Sequence, residues 1–276
     1  MSLVLVTGAT GFVGRQVVEF LALQRVEMRL VLRNPIPHWL GQVPRIEKII
    51  MSPDIFAEDT SWWKRTLSGV DTVIHMAWFA EPGKYLQSEI NLDCLVGTLR
   101  LAQGCVEAEV RRFVGIGTCF EYDLSGNTPI GPSAPLLPLS VYAASKTAVY
   151  LTLTQIFSSH QLEFVWCRLF YLYGEGERAE RLVPYLRQKL RLGESAELTS
   201  GTQVRDFLDV KDAGRMIAEV ARSPFQGVKN ICSGIPVTVK QLAEKIADEY
   251  GRRDLLKLGA RADNFVDPPF VVGLKE

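Results

Sequence analysis

The stretch Leu3-Val4-Leu5-Val6-Thr7-Gly8-Ala9-Thr10-Gly11-Phe12-Val13-Gly14 constrains the fold more than any other. Leu3–Thr7 is an apolar run that reads as a buried strand, and Val13–Leu23 carries the apolar spacing of a helix. Only a glycine-bearing turn separates them. A strand that must turn sharply, bring bare backbone to a ligand and let the next helix lie close needs residues without Cβ, and Gly8, Gly11 and Gly14 supply them. The helix start adds free amides and the positive end of its dipole. With Thr10, Phe12 and Val13, the turn therefore offers a seat for the pyrophosphate of a dinucleotide. Isolated glycines often mark a turn without function, but the strand before and the helix after select the binding reading.

Further short strands are expected at Met28–Leu32, Thr72–His75, Phe113–Gly117 and Phe164–Arg168, with helices at Leu92–Val106 and Ala143–Phe157 between them. Such alternation predicts an α/β protein with a Rossmann-type, doubly wound parallel sheet. The pattern changes after Tyr173. A Gly/Glu/Arg loop, a helix over Leu182–Leu192, irregular Gly/Ser stretches and a helix over Val239–Tyr250 with Thr238 as N-cap suggest a smaller α+β lobe. The expected division is 1–170 for dinucleotide binding and 171–276 for substrate, the chain crossing back to the sheet near 205–235. Ligands of such folds bind in the crevice beyond the carboxyl ends of the strands.

The 276 residues hold 31 Lys plus Arg and 31 Asp plus Glu, with no block of like charge, so neither nucleic acid nor a membrane surface is an expected partner. Five scattered cysteines without CxxC spacing and three distant histidines argue against a disulfide framework and a metal site. No signal-peptide pattern and no apolar run of membrane-spanning length is evident, which makes a cytoplasmic location the expectation.

Cofactor choice is read after the second strand, where an NAD site usually carries an acid for the ribose 2′-hydroxyl. Here Leu32 is followed by Arg33, and Arg15 follows Gly14. Two guanidinium groups suit a 2′-phosphate, which favours NADP(H) over NAD(H); solvated surface arginines are the alternative. Tyr142 and Lys146 stand four apart, on one helix face, where the cation is expected to lower the phenol pKa toward neutrality and ready it for proton transfer. Thr118, at the end of the expected strand Phe113–Gly117, adds a hydroxyl that could orient a substrate carbonyl. A plain helix pair and a turn hydroxyl are the bland alternatives.

Together these residues resemble the extended short-chain dehydrogenase/reductase family, also called the NAD-dependent epimerase/dehydratase family, over nearly the whole chain. The resemblance implies that Thr118, Tyr142 and Lys146 are catalytic. It places Asp54 and Ile55 at the adenine, Met76 and Ala77 at the end of a strand under the cofactor, and Asn91 and Phe170 beside it. Arg205, opening Arg-Asp-Phe, is similar to the family's diphosphate-gripping arginine, with Arg261 a second candidate or a loop charge. Trp78 and Tyr171 are implied at the sugar pocket, though core packing would equally account for Trp78. Dehydratases of the family usually carry Asp-Glu after the catalytic Ser/Thr. Cys119 and Phe120 stand there instead, which disfavours water loss. The resemblance thus implies a reductase of a 4-keto-6-deoxy sugar nucleotide, with an NAD-linked 4-epimerase as the alternative and a non-catalytic cofactor sensor as a third reading. It also implies a homodimer through the helices bearing Asn91 and Tyr142.

Overall fold

The apolar run at the N-terminus becomes a strand covered on both faces. In the computed structural model, which describes residues 2–33, 35–264 and 267–275, β1 (Leu3–Thr7) lies between β2 (Glu27–Leu32) and β4 (Thr72–His75). With β3 (Ile46–Met51), β5 (Arg112–Thr118), β6 (Glu163–Leu169) and β10 (Gly227–Ile231) they form a seven-stranded parallel sheet, ordered β10-β6-β5-β4-β1-β2-β3. The strand order reverses at β1, so a crevice opens beyond Thr7 and His75.

Successive side chains of a strand point to opposite faces, and β1 shows it. Val4 and Val6 join the core beneath α1 (Phe12–Leu23) and α6 (Val210–Ala221), while Leu5 joins the core beneath α2 (Thr60–Thr66), α3 (Ile90–Glu107) and α4 (Val141–Ser159). Each face is sealed by packing between helices. A Cβ on Gly214 of α6 would stand 2.5 Å from Gln16 Cβ, so glycine there allows α6 to lie directly on α1.

The irregular stretch expected after α5 (Leu182–Leu192) contains β9 (Val204–Asp209) and the whole of α6. The buried face of α6 is apolar and small, with Ala213, Gly214, Ala218 and Ala221 among Val210, Ile217 and Val220. Through α6 and β10, residues well beyond 171 belong to the large sheet. The smaller unit is built around β9, which pairs with β7 (Tyr171–Tyr173), β11 (Pro236–Thr238) and β13 (Phe270–Val271). β8 (Ala196–Glu197) and β12 (Leu256–Lys257) make a separate short pair. α5 packs with α7 (Val239–Glu249) through Leu186, Leu190, Leu242 and Ile246. Thr238 caps α7 in a reciprocal box with Gln241, as its position in the sequence suggests.

The C-terminal tail, unassigned by sequence, is tied in by one buried carboxylate. Asp206 accepts from the amides of Ser233 at 2.6 Å, Gly234 at 2.9 Å and Gly273 at 3.2 Å. A buried charge is tolerated only when it is hydrogen-bonded in this way. All five cysteines are free and buried. Among the described residues no helix is long and apolar enough to cross a membrane, and no cluster of potential metal ligands exists.

Candidate active site

The glycine turn has the geometry that its sequence demands. Gly8 adopts φ +72°, and a Cβ on it would lie 2.6 Å from the Ala77 nitrogen. A Cβ on Gly14 would lie 2.0 Å from the Gly8 oxygen. Gly11 differs: it is exposed, and its Cβ would meet only the Gly8 oxygen, at 3.3 Å. Thr10 beside it is also exposed, while Phe12 and Val13 are half-buried. No side chain caps α1 and no acid occupies its first turn. Its leading amides therefore face the crevice without an internal competitor, a cradle suited to phosphate.

Beneath this turn runs a directional hydrogen-bond chain. The Thr98 hydroxyl donates to the Cys94 carbonyl at 2.7 Å, so it must accept from His75 Nε2 at 3.0 Å. Nδ1 of His75 is then bare and accepts from the Thr7 hydroxyl at 2.8 Å, which in turn accepts from the Ala77 amide at 3.3 Å. Burial, with Lys146 nearby, holds His75 neutral, its pKa pushed down to about 3. The chain ties the ends of β1 and β4 to α3. Met76, directly after β4, is half-buried.

Arg15 is held by Glu19 at 2.8 Å and Glu175 at 3.2 Å, and its guanidinium lies 5.3 Å from the Trp39 ring. Arg33 is exposed directly beyond β2. Asp54 accepts from the Phe56 amide at 3.0 Å in a tight turn, and Ile55 beside it is buried.

Thr118 ends β5, and Tyr142 opens α4 behind Ser140, whose hydroxyl accepts from the Ala143 amide. The structure brings the two hydroxyls together. Desolvation raises the Tyr142 pKa well above the ordinary phenol value, with Tyr85 and Glu121 adding to the rise and the Thr118 hydroxyl offsetting part of it. This corrects the expectation of a phenol lowered by Lys146. The ammonium is turned elsewhere: Lys146 Nζ donates to the Ile116 carbonyl at 2.6 Å and lies 3.8 Å from the Trp78 ring centre. Burial depresses Lys146 itself to about 7, with Glu121 opposing. Trp78 is fixed by donating Nε1 to Asn91 Oδ1 at 2.8 Å, and Asn91 donates to the Tyr85 and Ser88 carbonyls. Tyr85, which the sequence gave no reason to select, meets Tyr142 edge-on at 4.8 Å.

A second cluster lies beyond β6. Arg205 is buried, donates to the Val204 carbonyl and sits 5.2 Å from the Tyr171 ring, which in turn packs against Phe120 and Phe207. Cys119 is buried here too, its thiol pushed up to about 12 by desolvation with Arg205 pulling it back. Phe170 is buried among Cys232 and Val271. Arg261 lies on the exposed surface, stacked on Tyr185 of α5 at 5.0 Å and donating to its hydroxyl. A cleft of about 470 Å³ adjoins the cluster, lined in part by Tyr173, Phe207, Ile235, Val237 and Lys245.

Residues 4–232 match the NAD dependent epimerase/dehydratase family. The chain is 24% identical to a dTDP-6-deoxy-L-talose 4-dehydrogenase (NAD(+)) of Aggregatibacter actinomycetemcomitans over 90% of each protein. It is 26% identical to a UDP-glucose 4-epimerase of Halalkalibacterium halodurans, covering 87% of this chain and 78% of that one. Among solved structures, a dTDP-glucose 4,6-dehydratase from Streptomyces venezuelae with NAD bound superposes with a TM-score of 0.83 at 25% identity, over 99% of this chain and 88% of its own.

Proposed function

The chain belongs to the NAD dependent epimerase/dehydratase family, and on that premise we propose that it is an NADP(H)-dependent reductase of a nucleoside-diphosphate 4-keto-6-deoxy sugar. The observation that carries the reading is the placement of Tyr142: at the start of α4 its phenol stands beside the Thr118 hydroxyl at the end of β5, where the crevice opens and a phenol can give a proton to a carbonyl oxygen. Gly8, Gly11, Gly14 and the start of α1 would hold the cofactor phosphates, Lys146 its ribose and Arg33 its 2′-phosphate. A reduced nicotinamide bound there would supply hydride for a sugar carbonyl. Thr118 orients the oxygen, Tyr142 protonates it as the alcohol forms, and water returns the proton to Tyr142. Cys119, a buried thiol where dehydratases of the family usually place a carboxyl, gives no support to water loss.

Arg205 grips the diphosphate, and the adjoining cleft, of a size usual for small-molecule sites, takes the nucleoside. Tyr171 and Trp78 contact the sugar. The same reading includes a homodimer through α3 and α4, which expose Leu92, Val96 and Leu151.

The test follows nicotinamide absorbance with 4-keto-6-deoxy sugar nucleotides, NADPH against NADH, for the parent and Tyr142→Phe. Turnover of the variant should fall about 100- to 10,000-fold, the usual contribution of a general acid, with cofactor binding kept. Near-parental turnover would remove Tyr142 from the chemistry. A parent that retains NAD and interconverts sugar epimers without net oxidation would make the protein an epimerase. A parent that binds cofactor and turns over nothing would favour a sensor.

A further inference from the structure

One charged pair beside the candidate catalytic residues has no task in the reaction as described. Glu121 follows Thr118 by three residues and is fully buried. Its Oε1 accepts from the Thr118 amide at 2.8 Å, and Trp166 Nε1 donates to its two oxygens at 3.1 and 3.0 Å. Oε2 accepts from Arg168 Nε at 2.7 Å. Arg168 is buried as deeply, its guanidinium 4.4 Å from the Tyr122 ring and 4.8 Å from that of Tyr150. The backbone makes room for this arrangement: a Cβ on Gly117 would stand 2.3 Å from Glu121 Oε1 and 2.3 Å from Trp166 Nε1.

A buried ion pair is a poor source of stability, because the desolvation of both charges offsets their attraction. This one is oriented. Its negative end touches the Thr118 backbone, and its positive end lies against the Tyr122 and Tyr150 rings. Trp166 spans the distance to the lysine, with its Nε1 on Glu121 and its ring centre 5.9 Å from Lys146 Nζ. We propose that Glu121 is a positioning residue for the proton-transfer site, holding Thr118 by its amide and setting a fixed negative charge against Lys146, with Arg168 as its counter-ion.

The surroundings of Lys146 leave this role to Glu121. His75 from β4 is neutral, Cys94 from α3 is a thiol raised by burial, Tyr142 on α4 is a protonated phenol, and Trp78 offers only its ring face. Glu121 is the leading group opposing the desolvation of the ammonium. Without it, Lys146 would lose its proton at lower pH. The inference rests on the roles given above to Thr118, Tyr142 and Lys146.

The experiment uses Glu121→Gln, which keeps an acceptor for the Thr118 amide but removes the charge, and the double variant Glu121→Gln/Arg168→Met, which leaves no unpaired charge if the single variant fails to fold. Two readouts are taken against pH: NADPH binding by fluorescence, and kcat and KM with the keto sugar nucleotide. Both variants should lose kcat near pH 7 by on the order of 10-fold, about one pKa unit's worth of lost protonated Lys146 once the charge set against it is gone, with KM for the sugar nucleotide little changed. The ionisation near 7 assigned to Lys146 should move to lower pH in both readouts. A folded double variant with parental kcat and an unmoved ionisation would reduce the pair to a structural one and overturn the proposal. If the parent reduces no sugar nucleotide, the functional reading fails while the binding readout still decides the matter: a shifted ionisation upholds Glu121's role, and an unshifted one ends it.

Discussion

Acidification should destabilise this protein through His75, whose burial and hydrogen bonds leave no place for a second ring proton. Thr98 fixes the proton on Nε2 and Thr7 takes the lone pair of Nδ1, so the ring has no room for a second proton. Burial accordingly lowers its pKa from 6.5 to about 3. Between those values the unfolded chain binds a proton that the folded chain refuses, so stability is present above pH 6.5 and is lost as pH falls toward 3. At pH 5 the loss from this one residue is about 2 kcal/mol, from 1.5 units at roughly 1.36 kcal/mol each. For a chain of this length that corresponds to about 4–8 °C in Tm. Other groups titrate over the same range, so the assay compares thermal unfolding of the parent and His75→Gln at pH 7 and pH 5. The variant should be less stable at pH 7, because it leaves buried hydroxyls short of partners, but should lose about 2 kcal/mol less on acidification. Ring ¹⁵N shifts give a direct check, since His38 and His160, the other two histidines, are both exposed. Equal acid losses in parent and variant, or a doubly protonated His75 ring at pH 5, would refute the reasoning.

Arg205→Ala should weaken binding of the nucleoside-diphosphate sugar by roughly 2–5 kcal/mol, the usual loss when one member of a buried charged contact is removed. Calorimetry with sugar nucleotide and with cofactor checks it: cofactor affinity should be spared, and unchanged sugar-nucleotide affinity would take Arg205 out of the site. Arg33→Ala should lower NADPH affinity and leave NADH affinity nearly unchanged, because only the former carries a 2′-phosphate for the guanidinium. Fluorescence titration of both cofactors reads it, and a parent that prefers NADH would reverse the cofactor assignment.

Local chemistry explains what was legible in the sequence. The turn at Gly8–Gly14 reads clearly because every requirement for it lies within twelve residues, and the structure repeats those requirements as near-contacts of missing Cβ atoms. The two cores either side of β1 follow from its alternation of Val4, Leu5 and Val6. The apolar period of α6 is plain in its residues, but its place is not: Gly214 is explained only by α1 lying against it, nearly two hundred residues away in the chain. The same holds for the tail: Asp206 accepts from Gly273, 67 positions on, and nothing near either residue announces the bond.

For the candidate site, the limit lies in solvation rather than in spacing. Tyr142 and Lys146 share a helix face, as four-residue spacing requires, and proximity alone argued that the cation would lower the phenol. Burial reverses that inference, because a phenolate and an ammonium both lose their hydration in the crevice: the phenol rises and Lys146 falls to about 7. Which effect wins depends on Trp78 over the ammonium, on Tyr85 against the ring, and on Glu121. Glu121 gains its place from Trp166 and Arg168, 45 and 47 residues later on β6. The surroundings of the proposed proton donor are therefore specified by residues that carry no motif, since what they control is the water and charge around Tyr142 rather than the shape of its turn.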